Sequence, residues 1–166
     1  MTRQTMYVGL GSNVGDREAH LFTAINRLRE DVSLCRVSSL YESAPVGPVQ
    51  DQPDFINAVG ELETELAPRE VLRRCLAIEA AMGRERQLDK GPRVIDLDLL
   101  LAGGRVESWP ELDIPHPELV HRAFVLRPLL ELCPDLRDPR DGRPLAEHLA
   151  ALGDQTLSTY QPLAQR

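Results

Sequence analysis

Lysine is nearly absent from this chain: of its 19 basic residues only Lys90 is a lysine, and it stands in Asp89-Lys90-Gly91. A P-loop needs Gly-Lys followed by Ser or Thr, so that class of nucleotide enzyme is excluded, and any phosphate handling falls to arginine. Positive charge as a whole is in deficit. With 26 acidic residues the formal net charge is −7, whereas a domain that grips nucleic acid is normally basic. Long apolar runs are missing too: nothing approaches the ~20 residues of a membrane span, and Met1–Thr5 lacks a signal-like apolar stretch. The three cysteines, Cys35, Cys75 and Cys133, are far apart and form no C-x-x-C. That argues against a disulfide framework or a Cys-rich zinc site and for reduced thiols in the cytoplasm.

What is present suits a single folded domain over residues 1–166: 42% apolar and 27% charged residues, in a chain long enough to hold a core without staples. Met6–Ser12 reads as a strand running into a glycine turn, with Asp16 placed to cap the following helix. Leu21, Ala24, Ile25 and Leu28 fall at helical spacing between Asp16 and Asp31. Leu34–Tyr41 and Phe55–Thr64 read as strands, separated by a Pro- and Gly-rich loop. Pro68 opens a second helix that Gly83 stops. Val94–Leu101 is a strong strand that Gly103-Gly104 closes as a hairpin turn. After a Pro110–Pro117 loop, Ala123–Leu132 and Leu145–Leu152 are helical, with Pro128 early in the first or kinking it, and 154–166 is expected to be a loose tail. The order β-α-β-β-α-β-α gives an α+β fold with a mainly antiparallel sheet and helices packed on it.

The most informative segment is Gly91-Pro-Arg-Val-Ile-Asp-Leu-Asp98. Residues two apart on a strand share a face, so Asp96 and Asp98 project together with Cα atoms roughly 6.5–7 Å apart. Ile95, Leu97, Leu99 and Leu101 then face the core. Paired carboxylates without a local counter-charge suit a divalent cation, and all-oxygen ligands favour Mg²⁺ over zinc. A solvated face on an edge strand explains a lone D-x-D equally well. Arg84, Arg86, Lys90 and Arg93 lie just upstream, and guanidinium forks beside a metal are what a polyphosphate requires. Taken alone, those charges read as a solvated loop; next to the aspartates they favour phosphate binding.

Gly9-Leu-Gly11-Ser-Asn-Val14-Gly15 fails as a dinucleotide fingerprint, because the sixth position is Val14. His116 sits in the rigid loop Ile114-Pro-His-Pro, placed to donate to a phosphate or simply exposed. Phe55 and Phe124 are two of only three phenylalanines. They suit a core, or two stacking faces for a flat heterocycle whose polar edge Asn57 would read.

These segments together resemble one family closely. Gly11-Ser-Asn13, Ser43…Gly47-Pro…Asp51-Gln-Pro-Asp-Phe-Ile-Asn57, Glu79…Gly83-Arg-Glu-Arg86, Gly91-Pro-Arg-Val-Ile-Asp-Leu-Asp98 and Ile114-Pro-His-Pro…Arg122-Ala-Phe-Val-Leu126 are similar to 6-hydroxymethyl-7,8-dihydropterin pyrophosphokinase. The resemblance runs from about Met6 to Leu152. It implies a ferredoxin-like α/β/α monomer that moves the β,γ-pyrophosphoryl group of ATP onto the pterin hydroxymethyl oxygen, leaving AMP, in folate biosynthesis. It further implies two Mg²⁺ ions held by Asp96 and Asp98, and a pterin between Phe55 and Phe124 with Asn57 on its polar edge. Ser43, Ala44 and Val46 would add backbone contacts to the pterin. Arg84, Arg86, Arg93, His116 and Arg122 would face the ATP phosphates or nucleoside, with Leu99 and Leu112 near the adenine and Glu79 at the nucleotide side. Arg84 and Arg93 would stabilise the transferring group, and the loops 47–53 and 84–90 would act as lids. Three residues depart from the family pattern: Lys90 replaces a frequent aromatic, Ser43-Ala44 replaces Thr-Pro, and Glu111 stands where some relatives have arginine. The expected partners are small molecules, with neither nucleic acid nor membrane. Two readings compete, a Mg²⁺-dependent nucleotidyltransferase or phosphodiesterase and a non-catalytic nucleotide-binding module.

Overall fold

The computed structural model of the chain describes residues 2–45, 51–83, 93–153, 155 and 157–160. Strand β1 (Gln4–Ser12) leads into helix α1 (Arg17–Asp31), where the Asp16 carboxylate accepts from the Ala19 N–H at 3.1 Å and caps the first turn. Two short strands follow, β2 (Leu34–Val37) and β3 (Leu40–Ser43), then the long β4 (Phe55–Thr64) and helix α2 (Pro68–Ala81). Strand β5 (Asp96–Ala102), the ribbon β6 (Glu107–Trp109) and β7 (Leu112–Ile114), a 3₁₀ turn Leu119–His121, helices α3 (Ala123–Leu132) and α4 (Leu145–Ala151), and strand β8 (Leu157–Tyr160) complete the described residues.

The main sheet has the order β5-β1-β4-β3-β8, with every pairing antiparallel and β2 joined to the far end of β4. Helices α1 and α2 cover one face. Their stripes of Leu21, Ala24, Ile25, Leu28, Val71, Cys75 and Ile78 pack with Met6, Val8, Leu10, Ile56, Ala58, Leu97 and Leu99. Helices α3 and α4 cover the other face, where Leu126, Leu129 and Leu145 meet Tyr7, Val59, Leu100 and Leu101. The result is the expected α+β fold in three layers.

Four local expectations are corrected. Leu34–Tyr41 is two strands because Ser38 breaks the run: its N–H donates to the Val59 carbonyl and its hydroxyl accepts from the Val59 N–H, both at 2.9 Å. Gly103-Gly104 does turn the chain, but β6 pairs with β7 inside the expected Pro110–Pro117 loop instead of returning along β5. Leu101 is not on the Leu97–Leu99 face. Tyr7 pairs with Leu101 and Val8 with Leu99, so Leu100 is an extra residue, and this bulge turns Leu101 toward α3. The expected loose tail contains β8, which pairs with β3 from Leu40↔Tyr160 to Ser43↔Leu157. There the Tyr160 hydroxyl donates to Glu18 at 2.5 Å, and Arg17 lies 5.8 Å from the Tyr160 ring centre.

Candidate active site

A cleft opens on the α3 side of the sheet. Its floor is where strand side chains are missing. Gly9 and Gly11 lie within β1, opposite Val59 and Asn57 of β4, and neither belongs to the turn proposed for them from sequence. The turn residue is Gly15, with φ of 64°. A Cβ on Gly11 would stand 3.1 Å from Asn57 Oδ1 and 3.4 Å from Phe55 Cδ1, so a side chain there would press on both.

Around that floor the structure gathers Ser43, Ala44, Phe55, Asn57, Arg93, Asp96, Asp98, Arg122 and Phe124. Antiparallel pairing explains the assembly: Gly11 lies opposite both Asn57 and Asp96, and Gly9 lies opposite Asp98. One end of three adjacent strands therefore carries the amide and both carboxylates. The Asn57 side-chain N–H donates to the Ser43 hydroxyl at 2.7 Å, which fixes the amide's orientation with Oδ1 toward Gly11. Phe55 reaches the cleft from the start of β4 and Phe124 from the first turn of α3. The Arg122 guanidinium stands 5.6 Å from the centre of the Phe124 ring.

The carboxylates are not left without counter-charge, as their spacing alone suggested. Arg93 lies 3.2 Å from Asp96. Asp98 has its carboxyl pushed up to about 7, first by burial and then by the Asp96 charge, against the pull of Arg122 and Arg93. A second carboxylate that resists ionising beside the first fits a site where a divalent cation supplies the missing positive charge. His116 is not among the residues lining the cleft, and its backbone N–H donates to the carbonyl of Leu100, which is, at 2.9 Å. Its Nδ1 accepts from the Glu118 N–H at 3.0 Å, so the neutral ring carries its proton on Nε2. Burial, followed by the Arg122 charge, lowers its pKa and keeps it neutral.

Three expected site residues are buried. Leu99 and Leu112 are 3% and 9% exposed and pack in the aliphatic core beneath α1 and α2. Glu79 is 3% exposed, and its Oε2 accepts from the Leu97 N–H at 2.8 Å. It secures the edge strand from behind, between the two aspartates. Arg84, Arg86, Lys90 and Val46, and with them most of both expected lids, lie outside the described residues.

Sequence reasoning missed Asn13, which is 1% exposed. Its side chain donates to Gln52 Oε1 at 2.7 Å and to the Pro53 carbonyl at 3.0 Å, and it accepts from the Arg93 N–H at 2.7 Å. One amide thus ties the end of β1 to the approach to Phe55 and to Arg93. The signal lay in Gly11-Ser-Asn13, whose asparagine had no stated task. A second group of potential metal ligands, Asp138, Asp141 and His148, sits away from the cleft lining, and there Arg140 already grips the Asp138 carboxylate with a two-pronged ion pair.

Residues 7–134 match the family model of 7,8-dihydro-6-hydroxymethylpterin-pyrophosphokinase. The chain belongs to this pyrophosphokinase family. It is 47% identical over 150 residues to the 2-amino-4-hydroxy-6-hydroxymethyldihydropteridine pyrophosphokinase of Pseudomonas aeruginosa, covering 89% of this chain and 91% of that one. Over 156 residues it is 44% identical to the folic acid synthesis protein fol1 of Schizosaccharomyces pombe, of which it spans 21%. A crystallographic HPPK-DHPS chain in complex with substrates superposes with a TM-score of 0.72 at 12% identity, over 91% of this chain and 43% of that longer one. That likeness extends the pyrophosphokinase fold, ferredoxin-like and α/β, to this chain.

Proposed function

We propose that this cleft carries out the pyrophosphoryl transfer from ATP to 6-hydroxymethyl-7,8-dihydropterin that the chain, as a member of its family, catalyses in folate biosynthesis. The observation that carries the assignment is the meeting of a carboxylate pair and two phenyl rings across one glycine floor. Phe55 and Phe124 take the pterin between them, and the held amide of Asn57 reads its polar edge, with backbone from Ser43 to Val46 adding contacts. Asp96 and Asp98 hold two Mg²⁺ ions, which when bound neutralise phosphate oxygens. Arg93 and Arg122, joined by Arg84 and Arg86, fork the remaining oxygens. His116 donates a hydrogen bond from its Nε2–H to the same phosphates.

The pterin hydroxymethyl oxygen bonds to the β-phosphorus of ATP, the bond from that phosphorus to the α-bridging oxygen breaks, AMP leaves, and the hydroxyl proton passes to solvent. These residues align the groups and balance charge, and no side chain takes the proton. Dependence on ATP supports a cytoplasmic setting, and no helix among the described residues is long and apolar enough to cross a membrane.

The test is product analysis with ATP, Mg²⁺ and hydroxymethyl-dihydropterin. AMP and pterin diphosphate in equal amounts are expected. Free pyrophosphate would favour nucleotidyl transfer instead, and no turnover at all would leave a binding module.

A further inference from the structure

The match to the family model stops at residue 134, yet the chain returns to the cleft some twenty residues later. Strand β8 sets Leu157 opposite Ser43, whose hydroxyl receives the Asn57 amide. Just before β8, Gln155 reaches the start of α3. Its Oε1 accepts from the Ala123 N–H at 2.8 Å, and its Nε2 donates to the His121 carbonyl at 2.9 Å.

Those two peptide groups flank a single residue, Arg122. It is extended, with φ −129° and ψ 113°, and it joins the 3₁₀ turn to α3 without a side-chain cap of its own. The first N–H groups of a helix have no partner within the helix, so Ala123 N–H must find one elsewhere. A glutamine side chain ends in the same donor and acceptor pair as a peptide group. By bonding the carbonyl before Arg122 and the N–H after it, Gln155 behaves as a one-residue strand partner and holds both torsions of Arg122. Phe124 follows two residues later, so the same clamp fixes the ring that walls the cleft.

We propose that Gln155 is a positioning residue for the pterin side of the site, acting through His121 and Ala123 to set where Arg122 and Phe124 stand. The proposal rests on the reading that Phe124 covers the pterin. It also makes the C-terminal segment part of the working site and not an appendage.

The experiment compares Gln155→Ala, Gln155→Glu, Gln155→Asn and Phe124→Ala in the full chain, measuring Tm, KM and Kd for each substrate, and kcat. Gln155→Ala is expected to raise the pterin KM and Kd about tenfold, as loss of two well-formed hydrogen bonds allows. kcat should fall about threefold and the ATP Kd should change by less than about threefold, since Phe124 is one of only two pterin walls while many groups hold ATP. Gln155→Glu keeps the acceptor for Ala123 and should recover part of the pterin affinity. Gln155→Asn, one methylene short, should not. Unchanged pterin constants in Gln155→Ala beside weakened binding in Phe124→Ala would overturn the role of Gln155 alone. Equal losses for both substrates with a collapse of Tm would make Gln155 purely structural and overturn it as well. Unchanged pterin binding in Phe124→Ala would overturn the site reading itself, and the role of Gln155 with it.

Discussion

Beneath α1 and α2 the strands present Met6, Val8, Leu10, Ile56, Ala58, Leu97 and Leu99, all at most 3% exposed. On the reverse face the same stretches of the same strands present Gly9, Gly11, Asn57, Asp96 and Asp98. One face excludes water and carries the stability; the other withholds side chains and collects charge. Strand alternation alone produces the contrast, because each residue of β1, β4 and β5 that points away from the aliphatic core must point into the cleft or under α3. The bulge at Leu100 marks the border: beyond it both faces of β5 are aliphatic. A stable platform and an open site are thus two readings of one set of strands, and substitutions on the two faces should be separable.

Asp98→Asn should break the cleft side most completely. Turnover should fall by about 10³-fold or more, the scale expected when a metal ligand for a phosphoryl-type transfer is lost. Stability should move the opposite way. A carboxyl whose folded pKa of about 7 lies above its unfolded value contributes most below about pH 4 and loses that contribution as pH rises to 7. Without Mg²⁺, Asp98→Asn should therefore melt higher than the parent at pH 8, by about 2–4 °C for each kcal/mol relieved, and show little difference at pH 4. Thermal melts at the two pH values check the sign.

Leu28→Ala breaks the sealed side. Leu28 is fully buried, and its truncation should cost about 2–5 kcal/mol of stability while leaving both KM values of the folded enzyme nearly unchanged. Urea unfolding and steady-state kinetics on one preparation make the comparison. Phe124→Ala should do the reverse, weakening pterin binding by roughly 1–3 kcal/mol and ATP binding much less. Calorimetry that found both ligands weakened equally, together with a large drop in Tm, would return Phe124 to the core. The smallest effect is expected from Gly11→Ala, where one methyl presses on Asn57 and Phe55: about a threefold to tenfold rise in pterin KM, from overpacking of order 1 kcal/mol.

The long periodic elements were legible in the sequence because one side chain pattern decided each of them. Phe55–Thr64 and Ala123–Leu132 appear with the boundaries their patterns predict, and Asp16 caps α1 as its position suggested. The carboxylate pair, Asn57 and both phenylalanines meet in one cleft, as the motifs together implied. Tertiary decisions were not legible. The break at Ser38 depends on a hydroxyl finding Val59, and the destination of β6 depends on β7, not on the glycine turn before it. The face of Leu101 depends on a bulge that no alternation rule contains. Gly9 and Gly11 looked like turn residues because glycine signals backbone freedom more often than an empty wall. Gln155 sits in a segment whose composition suggested only a loose end, since a single side chain bonding two peptide groups leaves no periodic trace.

The division of labour between the faces can be measured in one experiment, by following backbone amide resonances while hydroxymethyl-dihydropterin is added with Mg²⁺ and a non-hydrolysable ATP analogue. Shifts should concentrate at Gly9, Gly11, Asn57, Val59 and Phe124, with amides of α1 and the buried turns of α2 nearly still. Shifts spread along α1 and α2 with the glycine floor unmoved would contradict the assignment of the α3-side cleft as the substrate site.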